Sequence, residues 1–196
     1  QYELSEKMHR EFQKTATDLG LVFFSTPLCP NSVDLLISLD VPILKIASGD
    51  IVNAQLLEKC ASTNIPIFLS TGAANLSEVV LALDLLKSKG ADKVCLMHCV
   101  SIYPAPIESL NLKTILLLKE LTKGPIGFSD HTGGNSAAIV AIAYDACVIE
   151  KHFTLDKTLP GPDHTISVSP EEFGEYTLKC REAFLAKGKK EKVLHP

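Results

Sequence analysis

Gly127-Phe128-Ser129-Asp130-His131-Thr132 and, one loop and one helix later, Val148-Ile149-Glu150-Lys151-His152-Phe153 share a single layout. Each begins apolar, turns polar at its end, and delivers one histidine there. Read as neighbouring strands of a parallel sheet, they bring His131 and His152 to the same mouth, and two imidazoles at one mouth can hold a divalent metal ion. The competing reading is a pair of unrelated core or surface histidines. The matching positions on consecutive strands favour the metal.

The same alternation extends outward in both directions. Ser5 and Gly20 bracket a helix over Glu6 to Leu19, as N-cap and C-terminal stop. Leu21 to Phe24 reads as a short buried strand ending in Ser25-Thr26-Pro27. Asn31 caps a helix to Leu39. Pro42 to Ile46 is a second strand, Ile65 to Leu69 a third, and Lys93 to Met97 a fourth, ending in His98-Cys99. Helices are predicted from Asn53 to Ala61, Ser77 to Lys89, Asn111 to Lys123 and Gly133 to Asp145. Ile126 to Phe128 and Cys147 to Ile149 are the fifth and sixth strands. Ser169-Pro170-Glu171-Glu172 is a capping box with proline at the first helical position, so a last helix starts there. Six alternating strand and helix units predict right-handed βαβ connections and a parallel sheet. No GxGxxG follows the first strand, which weighs against a dinucleotide fold. Every strand ends in small or polar residues, where barrel enzymes carry their chemistry. The fold expected is α/β, a (β/α)8 TIM barrel in which this chain supplies six strands and lacks the first two βα units.

The strand ends then form a ring. Lys45 sits between Leu44 and Ile46 in an apolar strand, so it either points into the mouth or snorkels from an edge. Ser48, Asp50, Ser70 and Thr71 follow on the next turns, with Ser101 and Tyr103 beyond His98, then Ser129, Asp130, Glu150 and Asp163. Hydroxyls and backbone N–H groups near Gly49 and Gly72 suit phosphate or carboxylate oxygens. Two histidines do not complete a metal shell; with water and substrate oxygens they suit an octahedral ion better than structural zinc. Asp130 and Glu150 are placed to support the ligands. His98 reads equally well as a hydrogen-bonded core residue.

Composition narrows the class. A chain of 196 residues that is 46% hydrophobic fits one substantial core of buried parallel strands, placed here at 1–186, with a basic tail at 187–196. A net charge of −4 and no basic run before that tail argue against nucleic acid. No apolar run is long enough to span a bilayer. Six cysteines without a CxxC pair, and no leader segment, predict reduced thiols and a cytoplasmic protein.

Six ordered motifs carry a resemblance. Lys45-Ile46-Ala47-Ser48-Gly49-Asp50, Leu69-Ser70-Thr71-Gly72, His98 to Pro104, Phe128 to Thr132, Glu150 to Leu155 and Gly161-Pro162-Asp163-His164 resemble the sialic acid synthase family, N-acetylneuraminate synthase with its legionaminate and pseudaminate relatives. The resemblance implies a (β/α)8 barrel transferase, of class EC 2.5.1, that condenses phosphoenolpyruvate with an N-acylated aldose such as N-acetylmannosamine and releases phosphate. It implies manganese, or alternatively magnesium or cobalt, on His131 and His152. Lys45, Ser48, Ser70 and Ser129 would hold phosphoenolpyruvate, assisted by Ser101 where relatives carry Asn. Tyr103 and Asp163 would contact the sugar, with Glu150 near them. A homodimer is the family's assembly. Against the family's pattern, this sequence is expected to lack the N-terminal segment with the first two strands and the C-terminal antifreeze-like domain. The alternative is therefore a truncated barrel that binds ligand or a partner chain without turnover; a barrel aldolase using Lys45 as a Schiff base leaves both histidines without a role.

Overall fold

β1 (Leu44–Ile46) is three residues long and all three are buried, which a strand covered on both faces requires. In this computed structural model, which describes residues 4–192 and 194, β1 pairs in parallel with β2 (Ile67–Ser70), and β2 with β3 (Val94–Cys99). The register sets Lys45 beside Phe68 and Ser70 beside Met97. β4 (Ile126–Asp130) pairs in parallel with β5 (Val148–Lys151), setting Ser129 beside Glu150 and Asp130 beside Lys151. The five strands alternate with α-helices, so the fold is α/β.

The chain forms two compact units. The first comprises Gln1–Met97 with Leu121–Pro125 and holds β1 and β2. Its helices are α1 (Glu6–Asp18), α2 (Pro30–Ser38), α3 (Ala54–Ala61) and α4 (Leu76–Ser88). α2 packs on α3 and α3 on α4. Leu44, Ile46, Leu56, Ile67, Leu69 and Leu86 are fully buried beneath them. Leu44 and Ile46 contribute about 1.5–3 kcal/mol each by burial, which holds β1 in place around the lysine between them. Capping is explicit: Ser5 accepts from the Met8 N–H, and Asn75 with Glu78 closes a full capping box on α4.

The second unit comprises His98–Glu120 and Ile126–Pro196, with α5 (Thr114–Thr122) up to Glu120, α6 (Ser136–Ala143) and α7 (Pro170–Lys187). α6 packs against both β4 and α7. Phe128, Ile115, Ala138 and Ala141 form its buried centre. Ser169 and Glu172 close the predicted capping box at the start of α7.

Among the described residues there are five strands, not six. The segment read as a first strand, Leu21 to Phe24, makes no ladder. It is followed by one parallel bridge, Ser25 to Leu44. Leu21 and Val22 are 62% and 64% exposed, so an apolar run alone did not supply the second pairing edge that a strand needs. α2 starts at Pro30 rather than after Asn31, because proline is pre-set for the first helical turn. Of the tail at 187–196, residues 193, 195 and 196 lie outside the described residues, and Lys187 is the last residue of α7.

Candidate active site

Two polar clusters sit at the C-terminal ends of the strands, one in each unit. In the first, Lys45 is buried and its Nζ donates to Ser70 Oγ at 2.6 Å and to the Ile46 carbonyl at 3.4 Å. Lys45 therefore does not snorkel out from an edge. Ser48 Oγ accepts the Gly72 N–H at 3.1 Å, and the Thr71 hydroxyl donates to the Met97 carbonyl. An ammonium, hydroxyls and a glycine N–H gathered at strand ends are donors for oxyanions. Asp50 lies in the short 3₁₀ turn Ser48–Asp50, where its carboxylate accepts from the Asn53 side chain at 3.4 Å.

The second cluster follows from strand alternation. Side chains two apart share a face, so Ser129 and His131 point the same way on and beyond β4, and Glu150 and His152 do so at β5. The rings of His131 and His152 lie with centroids 5.3 Å apart, at 69° to each other. Tyr103 packs on both, at 4.4 Å from the His131 ring and 5.8 Å from the His152 ring. Ser129 Oγ donates to Glu150 Oε1 at 2.6 Å and lies 3.3 Å from His131 Nε2. Asp163 Oδ2 is 3.8 Å from His152 Nδ1. Ser101 is exposed, on the loop whose Val100 carbonyl meets His131. The structure thus gathers His131, His152, Ser129, Glu150, Tyr103 and Asp163 in one unit, and Lys45, Ser48 and Ser70 in the other.

The tautomer of His131 is fixed by its partner. Nδ1 is 2.7 Å from the Val100 carbonyl oxygen, which can only accept, so Nδ1 carries the hydrogen. Nε2 is then unprotonated, its lone pair on the Ser129–Glu150 side, the form in which imidazole ligates a metal. Burial is the main cause that holds the His131 ring below its ordinary value, opposed by the Val100 hydrogen bond and aided by neighbouring His152. A metal–imidazole bond of about 2.1 Å puts two cis ligand rings roughly 5 Å apart, centre to centre, and the observed spacing fits. No set of three or more His, Cys, Asp or Glu side chains among the described residues is grouped to hold a metal ion. A metal on this pair would leave its remaining positions to water and substrate, as catalytic rather than structural sites do. The Tyr103 hydroxyl is pushed above its ordinary value by burial first, then by Cys99, Asp163 and Glu150, so acidic groups converge on the same place.

Asp130 does not support a histidine directly. It faces the other side of β4, where Tyr176 and Lys151 meet its carboxylate, and sequence reading did not single out either partner for this. The alternation rule applied to Asp130 and His131 would have found the direction. An apolar cavity of about 430 Å³, lined by Ile142, Cys147, Ile149, Cys180, Phe184 and Leu185, opens on that helix side and is not where the polar groups converge.

His98 is a packed residue. Its Nε2 donates to the Leu110 carbonyl at 2.7 Å and its ring stacks on Phe128 at 6.0 Å. Burial lowers its pKa from 6.5, opposed by that hydrogen bond. The folded state holds it neutral while the unfolded chain takes up a proton, so stability present above 6.5 is lost as pH falls through that value. The melting temperature is expected to drop on acidification across this window. His98→Gln, which keeps a donor for Leu110, should flatten the drop. Calorimetry of both proteins across the window checks it, and an unchanged profile contradicts a neutral buried His98.

The profile of the NeuB family matches residues 1–192. The chain is 44% identical over 194 residues to an N,N'-diacetyllegionaminic acid synthase of Legionella pneumophila, covering 97% of this chain and 54% of that protein. It is 45% identical over 188 residues to the N,N'-diacetyllegionaminic acid synthase of Campylobacter jejuni, covering 95% and 56%. The chain spans about half the length of these curated relatives. The crystal structure of an N-acetylneuraminic acid synthetase from Leptospira borgpetersenii superposes with a TM-score of 0.93 at 35% identity, over 98% of this chain and 67% of that one. A truncated 3-deoxy-D-arabino-heptulosonate 7-phosphate synthase from Thermotoga maritima, at 21% identity and a TM-score of 0.83, shares the fold. No helix among the described residues is long and apolar enough to cross a membrane. With these relatives, and with the motifs quoted above at the strand ends, the chain belongs to the NeuB family of sialic acid synthases.

Proposed function

We propose that this chain serves the condensation of phosphoenolpyruvate with an N-acylated aldose, N-acetylmannosamine or a related N-acyl sugar, to a nonulosonic acid with release of phosphate. The observation that carries this reading is His131, with Nδ1 tied to Val100 and a bare Nε2 beside Ser129, His152 and Glu150. The names of the relatives supply the reaction class.

His131 and His152 would hold a divalent ion, manganese first and magnesium or cobalt as alternatives, which supplies Lewis-acid polarisation of the open-chain aldehyde. Lys45, with Ser48 and Ser70, supplies fixed donors for the phosphate and carboxylate of phosphoenolpyruvate, and Ser129 with Ser101 assists. Lys45 with Ser70, and Ser48 with the Gly72 N–H, are already held by hydrogen bonds, so little reorganisation of these groups is needed as negative charge develops. The enol carbon attacks the aldehyde carbon, water adds at C2, and the tetrahedral intermediate expels phosphate. Glu150 Oε1 accepts the Ser129 hydroxyl hydrogen and is the base at hand for the entering water. Tyr103 and Asp163, beside His131 and His152, orient the sugar. The assignment to a cytoplasmic homodimer follows the same reading.

The test is phosphate release from phosphoenolpyruvate by this chain with manganese and a panel of N-acyl sugars. Release that depends on one sugar identifies the acceptor. A chain that binds manganese without any release points instead to a ligand-binding barrel without turnover. Borohydride trapping with no covalent adduct excludes a Schiff base on Lys45.

A further inference from the structure

Asp130 and Lys151 alternate with the mouth residues and face the opposite side of β4 and β5, toward α7. There Lys151 Nζ lies 3.2 Å from Asp130 Oδ2, with side chains 2% and 0% exposed. The same oxygen accepts the Tyr176 hydroxyl at 2.8 Å, and Asp130 Oδ1 accepts the Thr132 N–H at 2.8 Å. Lys151 also donates to the Thr132 carbonyl and stands 5.2 Å from the centre of the Tyr176 ring. The ammonium thus meets a carboxylate, a carbonyl and a ring face.

Stability alone gives weak reason for such a pair, since well-packed apolar residues of the same volume are often as good. Direction is what charges add. Asp130 immediately precedes His131, Lys151 immediately precedes His152, and Thr132 immediately follows His131. The residues flanking both imidazoles are tied to one carboxylate and one ammonium. The Thr132 hydroxyl is itself buried without a hydrogen-bond partner, so Thr132 is placed by its backbone contacts to this pair rather than by its own side chain.

We infer that Asp130, Lys151 and Tyr176 form a positioning cluster that sets the distance and angle between His131 and His152 from behind the strands. It rests on the proposed pairing of these histidines as metal ligands, but it acts on ring geometry that exists without metal. Two variants test it. Tyr176→Phe removes one hydroxyl and keeps the ring. Asp130→Asn combined with Lys151→Met removes both charges and strands neither. The readouts are imidazole ¹⁵N shifts of the metal-free chain, manganese affinity from the electron paramagnetic resonance of free ion, and circular dichroism as the check on folding. Both variants are expected to fold, to displace the ring shifts of both histidines, and to weaken manganese binding, by about tenfold or more in the double variant and less in Tyr176→Phe. Folded variants with wild-type ring shifts and wild-type affinity overturn the inference. A wild-type chain that takes up no manganese defeats the metal reading alone, and the ring shifts then decide the positioning by themselves. If the double variant does not fold, Tyr176→Phe decides.

Discussion

His131→Ala is expected to cut sugar-dependent phosphate release about a thousandfold or more, since Lewis-acid stabilisation is worth several kcal/mol and each 1.36 kcal/mol is a factor of ten. The argument rests on the tautomer. Val100 holds the hydrogen on Nδ1, so Nε2 is the nitrogen available to a metal, and alanine leaves His152 as a lone imidazole. The Lys45–Ser70 and Ser48–Gly72 contacts do not involve His131. The KM for phosphoenolpyruvate should therefore change little while kcat collapses, the signature of an interaction made in the transition state. Steady-state phosphate release for wild type and variant, with manganese titrations of both, checks this. A variant that keeps manganese-dependent turnover within a few-fold of wild type removes His131 from the proposed mechanism.

Lys151→Met has the largest expected effect on stability. It leaves the Asp130 carboxylate, fully buried, without its counter-charge. Removing one partner of a buried pair costs about 3–5 kcal/mol. For a chain near 200 residues each kcal/mol moves the melting temperature by about 2–4 °C, so a drop of roughly 6–20 °C is expected. Tyr176 and the Thr132 N–H still donate to Asp130, which keeps the loss from being larger. Adding Asp130→Asn should restore much of it, because neither charge is then stranded. Thermal unfolding followed by circular dichroism measures both steps. A drop in the single variant of less than about 2 °C would show that water reaches Asp130 in the folded protein.

Much of the fold was legible from local chemistry. The Ser5 cap and the Ser169 capping box mark helix starts with side-chain acceptors for free backbone N–H groups. The polar endings of apolar runs located both clusters, and Lys45 between Leu44 and Ile46 is placed by the burial of its neighbours. Pairing was less legible. Leu21 to Phe24 has the composition of a strand, yet whether such a run joins a ladder depends on what lies beside it, which is not local information. The segment at Asn111 shows the same limit: φ of 44° there turns the chain before α5, which begins at Thr114. The role of Asp130 was hidden for another reason. Its partner Tyr176 lies 46 residues away on a helix, and no local pattern announces a contact of that span.

The triplets Ser129-Asp130-His131 and Glu150-Lys151-His152 repeat a two-residue alternation of mouth and helix layer, and such a repeat tolerates no odd change in length. One residue inserted or deleted within Ile126–Asp130 or Val148–Lys151 would exchange the two sides, turning imidazoles toward α7 and the Asp–Lys pair toward the mouth. The turns that follow are under no such rule. The segment between Thr154 and Ser167, fastened at its base by Thr154 to His164 and by Ser167 to Asp163, can lengthen or shorten without disturbing the strands. A change in what the mouth admits is therefore open to the loop beside it, whereas the paired triplets hold their length to keep the imidazoles on the mouth side.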